Sequence, residues 1–115
     1  MWIDTHAHLD APELAACSDG GAGWRSLARE LGVHRCVIPA VHAANFDAVR
    51  QLAHRHADAY ALGIHPLHVP EAGDDDLQRL DEALARYRDD PRLVAVGEIG
   101  LDFFVPALCT PEMRE

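Results

Sequence analysis

Met1-Trp2-Ile3-Asp4-Thr5-His6-Ala7-His8-Leu9-Asp10 opens the chain. The segment reads as a short buried strand that ends in His-x-His. Successive side chains of a strand point to opposite faces, so His6 and His8 project the same way. Two imidazoles on one face at a strand end are a ready-made pair of metal ligands. Asp4 shares that face. It is placed either to orient an imidazole or to sit in solvent as an N-terminal acid. The matching carboxylate comes much later, in Gly97-Glu98-Ile99-Gly100-Leu101-Asp102. Glu98 follows Val94 and Val96 on one face of a strand-like run. A carboxylate on such a face needs a cation, because burying an isolated charge costs several kcal/mol. The chain has no lysine. A metal held by His6 and His8 would supply the charge, with an arginine salt bridge as the alternative. Asp102 lies on the same loop, within reach of a metal-bound water or of a group behind it. The two segments together point to a metal-dependent hydrolase.

Working outward, four apolar strand-like runs recur at similar spacing: Trp2–His6, Cys36–Val41, Tyr60–Ile64 and Leu93–Val96. Helical patterns fill the gaps. Trp24, Leu27 and Leu31 keep helical spacing, and Gly32 stands where a helix C-terminal glycine belongs. Phe46, Val49, Leu52 and Ala53 mark a second helix, with Asn45 as its N-cap. Leu77, Leu80, Leu84 and Tyr87 form a third stripe. Asp74, Asp75 and Asp76 stand at its start, where negative charge suits the helix dipole, and Pro91 ends it. Trp24 and Phe46 are expected to pack helix against sheet. Ser18–Gly23 and Pro66–Gly73, rich in turn-formers, read as loops. Strand and helix in alternation mean βαβ units and a parallel sheet. The expected fold is α/β, a partial (β/α)8 TIM barrel of about four parallel strands in the order 1-2-3-4 with flanking helices. Its crossovers are right-handed.

The third run ends in Gly63-Ile64-His65-Pro66. His6 and His8, His65, and Glu98 with Asp102 therefore all fall at strand C-terminal ends, the face where parallel barrels carry active sites. Gly97-x-x-Gly100 lacks the full glycine fingerprint of a nucleotide loop. His34, His42, His54, His56 and His68 read as surface or loop residues, with His42 and His68 near strand ends. Phe103 and Phe104 serve either the core or a substrate wall.

Composition bounds the partners. The formal charge is −9, which argues against a broad electrostatic grip on nucleic acid. A phosphodiester at a metal site is still compatible, because bound cations then dominate locally. Apolar residues make up 49% of the chain, as in soluble globular proteins. Cys17, Cys36 and Cys109 are widely spaced and read as free thiols of a reducing compartment. There is no signal peptide and no membrane-length apolar run, so a soluble cytoplasmic protein is expected.

Asp4-Thr-His-Ala-His-Leu-Asp10, Gly63-Ile-His-Pro66 and Gly97-Glu-Ile-Gly-Leu-Asp-Phe103, in this order, resemble the TatD-like deoxyribonuclease family. Its members are metal-dependent hydrolases on a TIM barrel, within the wider amidohydrolase-like group. The resemblance implies that His6, His8 and Glu98 bind a divalent-metal centre of Mg2+, Zn2+ or Mn2+, with two ions per complete site. It implies an active-site position for His65. The implied substrate is DNA or another phosphodiester. The family also draws two further histidines and an aspartate from later strands, and no region here holds them. Glu98 would then bridge the metals, and the absent aspartate would be the general base.

Residues 1–115 are thus expected to be the N-terminal half of such a domain. Thr110-Pro111-Glu112 supports this, since it announces a helix just before the chain stops. Catalytic roles are assigned to Glu98, His65 and Asp102, and metal ligation to His6, His8 and Glu98. The chain alone is expected to be a poor nuclease, needing its missing half or self-association. Two other readings are open. One keeps the site and changes the substrate to an amide or ester. The other is a non-catalytic half-barrel that folds with a partner chain.

Overall fold

A computed structural model of the protein describes residues 1–16 and 19–114. Four strands form one parallel sheet in the order β1-β2-β3-β4: β1 Trp2–Asp4, β2 Val33–Pro39, β3 Ala59–Leu62 and β4 Leu93–Val96. Three helices connect them: α1 Gly20–Glu30, α2 Phe46–His56 and α3 Asp74–Arg86. This is the α/β architecture read from the sequence, and β4 has the expected bounds.

The core lies between the central strands and two helices. Ile38, Ala40, Tyr60 and Leu62 alternate along β2 and β3 and face Phe46, Val49 and Ala53 of α2, all buried. Leu80, Ala83, Leu84 and Tyr87 pack at its margin. The opposite face is open. Val94 and Val96 are 54% and 53% exposed, and Trp2 on β1 is 73% exposed.

Helix α1 is held differently from the expectation. Trp24 stays 48% exposed and Leu31 75%, so the apolar stripe does not bury. The buried residue is Arg25, at 1% exposure. Its guanidinium meets Asp58 through Nε (2.5 Å) and Nη2 (2.7 Å), and donates to the carbonyls of Val33 and His34 (both 3.1 Å). Asp58, fully buried, also accepts from the backbone N–H of Cys36 at 2.9 Å. The hydrogen bond to Asp58 raises the Arg25 pKa further, against the opposing pull of burial. One guanidinium thus joins α1 to β2 and to the turn before β3. Removing one member of such a pair typically costs ~3–5 kcal/mol, because the other is left charged and dry.

Several boundaries shift for local reasons. Strand β1 stops at Asp4, because the Asp4 carboxylate takes the His6 backbone N–H at 3.0 Å. Asp4 therefore orders the turn below the histidines by gripping the backbone. The expected Ser18–Gly23 loop is helical from Gly20 onward. Gly21 explains it: a Cβ there would lie 1.8 Å from the Leu9 carbonyl oxygen, so only glycine lets α1 approach the His-x-His turn. Expected loop 66–73 contains a 3-10 turn, Pro66–Glu71. Helix α3 ends at Arg86, before Pro91, with Tyr87 as its C-cap. Asn45 does precede α2, but its Oδ1 binds the backbone N–H groups of Val41 and His42 at 3.3 Å instead of capping the helix. Thr110-Pro111-Glu112 leads into a 3-10 turn, Pro111–Arg114. Cys36 is a buried free thiol, the Cys109 Sγ lies 3.4 Å from the Val105 carbonyl, and Cys17 lies outside the described residues. No described helix is long and apolar enough to cross a membrane.

Candidate metal centre

The first and fourth strands of a flat sheet in this order would lie about 14 Å apart, at the usual strand spacing. Their side chains nevertheless meet above the strand ends. Glu98 Oε2 is 3.3 Å from His6 Nε2 and 3.4 Å from His8 Nε2, and the two Nε2 atoms are 3.0 Å apart. The sheet curves, and the Glu98 backbone leans inward across β3. Its N–H reaches the carbonyl of Ala40, just past β2, at 3.3 Å, while the Gly97 N–H binds the Leu62 carbonyl at 2.8 Å. Gly63 permits this crossing. A Cβ at that position would meet Gly97 C at 2.5 Å, Glu98 N at 2.7 Å and Glu98 O at 2.8 Å.

The three ligand atoms fit a cation. A tetrahedral ion with ~2.0–2.1 Å bonds separates its ligand atoms by about 3.3–3.4 Å, close to the contacts found here. Glu98 Oε2 is shut off from solvent and has no hydrogen-bond partner. A dry carboxylate oxygen between two imidazole nitrogens is an acceptor awaiting a positive centre. His6, His8 and Glu98 are the group that can converge on one ion among the described residues. Among the described residues the arginine alternative for Glu98 is not realised, since its ion-pair contacts there are with His6, His8 and His65.

His65 stands beside the trio. Its Nδ1 accepts the Leu67 backbone N–H at 3.0 Å, so in a neutral ring the proton sits on Nε2. That Nε2 lies 3.2 Å from Glu98 Oε1, the oxygen turned away from the histidine pair. His65 is held in turn by its backbone N–H on the Val41 carbonyl at 2.8 Å. Asp102 is outside the trio. Its Oδ1 accepts the backbone N–H groups of Phe104 (2.7 Å) and Val105 (3.0 Å), which close the loop after Glu98. These bonds hold its carboxyl below the usual range, helped by the nearby His65.

The sequence profile of the family described as TatD related DNase matches residues 3–113. This chain belongs to that family. Among TatD relatives, YjjV of Escherichia coli (strain K12), named as an uncharacterized metal-dependent hydrolase, is 38% identical over 104 residues. That match covers 90% of this chain and 38% of YjjV. Deoxyribonuclease TATDN3 of Homo sapiens is 33% identical over 121 residues, covering 98% of this chain and 42% of its own. The crystal structure of YjjV, described as a TatD homolog, superposes with a TM-score of 0.75 at 39% identity. It is matched over 91% of this chain and 39% of the YjjV chain. The chain therefore spans about two fifths of the length of these TatD relatives.

His54, His42 and His68 stand on the surface or in connections, as expected, and each makes a specific contact. His54 Nε2 contacts Asp90 at 2.7 Å, and the Tyr60 hydroxyl donates to the same carboxylate at 2.9 Å. His56 Nε2 is solvent-excluded without a hydrogen-bond partner, and burial lowers its pKa. His42 and His68, from two different connections, come together with ring centroids 5.0 Å apart.

Proposed function

We propose that the chain is the N-terminal part, residues 1–115, of a divalent-metal-dependent hydrolase that cleaves phosphodiester bonds in DNA. The supporting observation is the dry, unpartnered Glu98 Oε2 facing the Nε2 atoms of His6 and His8, in a chain of the TatD family. His6, His8 and Glu98 would hold Mg2+, Zn2+ or Mn2+, with room for a second ion once further ligands are supplied. The bound ion supplies a Lewis acid for the phosphoryl oxygens and acidifies a water. The chain's own residues set the stage. Asp4 fixes the turn that aims both imidazoles. His65 acts through Glu98, keeping the second carboxylate oxygen turned from the histidine pair. Asp102 holds the loop in shape beside the reacting group. The site lies on the same face as the loops after each strand, where substrate recognition is built in such folds.

A chimera tests this reading. Residues 1–115 replace the matching segment of human TATDN3, and the product is incubated with end-labelled DNA and Mn2+. Metal-dependent shortening that Glu98→Gln abolishes is the expected result. A chimera that folds, binds metal and cleaves esters or amides while sparing DNA refutes the substrate assignment. The 115-residue chain alone, run in parallel, is expected to turn over poorly.

A further inference from the structure

The molecule contains a second pair of imidazoles that resembles the first. His6 and His8 have ring centroids 4.8 Å apart at an interplanar angle of 79°. His42 and His68 have centroids 5.0 Å apart at 70°. The first pair is built by alternate positions in the turn that follows β1. The second is built by tertiary structure. His42 follows β2, and its backbone N–H is held by Asn45 Oδ1 at 3.3 Å. Asn45 is itself anchored, donating from Nδ2 to Asp10 at 2.5 Å. His68 sits in the 3-10 turn that follows β3, its N–H bound to the His65 carbonyl at 2.8 Å. The two connections are tied together where the His65 N–H meets the Val41 carbonyl. Both rings are half-buried, so each has a supported position and an open side.

We propose that His42 and His68 form a second divalent-metal site, separate from the His6–His8–Glu98 centre. Two neutral imidazoles select a borderline transition ion, such as Zn2+, Co2+, Ni2+ or Cu2+, over Mg2+ or Ca2+. With two protein ligands the ion keeps several positions for water, so its affinity is below that of the three-ligand centre. The site adjoins the first. The His65 ring, whose Nε2 faces Glu98, is 6.4 Å from the His68 ring, centroid to centroid.

Cobalt titration of the 115-residue chain decides the matter, using visible absorption for coordination and equilibrium dialysis for stoichiometry. The wild-type chain is expected to take up two ions in a tighter and a weaker class. His6→Ala/His8→Ala removes the tighter class and leaves the weaker. His42→Ala/His68→Ala does the reverse, and His34→Ala/His56→Ala leaves both. Circular dichroism checks folding, and the single change His68→Ala, on a surface turn, gives the same readout if the double variant misfolds. The proposal is overturned if the weaker class survives His68→Ala and the double change, if it vanishes with His6→Ala/His8→Ala, or if only one class exists.

Discussion

Gly63→Ala is the sharpest test of how the three proposed metal ligands are brought together. The added methyl would stand 2.5 to 2.8 Å from three backbone atoms of Gly97 and Glu98. Ordinary contact begins near 3.4 Å, so the Gly97–Glu98 backbone must retreat by up to about 0.9 Å at Gly97 and about 0.7 Å at Glu98. The carboxylate moves with it, away from His6 and His8. Sites of this kind tolerate misplacement of only about 0.5 Å. Loss of comparable support around metal ligands costs roughly 10–100-fold in affinity, and that range is expected here. Overpacking itself should cost ~1–3 kcal/mol of stability. Calorimetric titration with Zn2+ and urea unfolding measure the two effects separately. Gly73→Ala is the control, since a Cβ there has nothing within 4 Å. Undiminished zinc affinity in a folded Gly63→Ala chain would refute the argument that β3 must be bare for Glu98 to cross it.

Two further outcomes follow from charge and exposure. Burial pushes the Asp90 carboxyl up, but hydrogen bonds from His54, the Arg92 backbone and Tyr60 outweigh it and hold it at about 2, against an ordinary 3.8. A depressed carboxyl stabilises the fold above its unfolded pKa and loses that contribution as pH falls through the folded one. Urea midpoints should therefore drop between pH 4 and 2, and less steeply in Asp90→Asn; parallel slopes would contradict the assignment. The open face carries Trp2, Val94 and Val96, and β1 and β4 each have one strand neighbour. Covering each valine-sized side chain is worth ~1.5–3 kcal/mol, so light scattering should show self-association or capture by a complementary half; a sharp 12.6 kDa monomer with cooperative unfolding would be the opposite result.

The parts of the fold that were legible in the sequence are those fixed by local pattern. The run Leu93–Val96 and the stripe Phe46, Val49, Ala53 carry their periodicity in adjacent residues, and both form where expected. The convergence of His6, His8 and Glu98 was readable because all three fall at strand C-terminal ends. Illegible features depend on approach between distant segments. Gly21 looks like a loop residue until Leu9 is seen packed against it, when tertiary contact overrides weak helix propensity. The His42–His68 contact arises only once β2 and β3 pair. Asp102 was placed on the right loop, but its hydrogen-bonding to Phe104 and Val105 is a turn preference that a search for chemistry passes over.

Arg25 also says something about how α1 can change over time. Most amphipathic helices adhere by spread apolar contact, which many similar side chains can replace. Helix α1 is keyed chiefly by one buried side chain whose four hydrogen bonds meet Asp58 and two carbonyls at fixed positions. Its C-cap, Leu31, stays largely exposed and is correspondingly released from holding the helix in place. That leaves the outer surface of α1 open to take on new contacts, while the helix continues to fit its socket in one orientation.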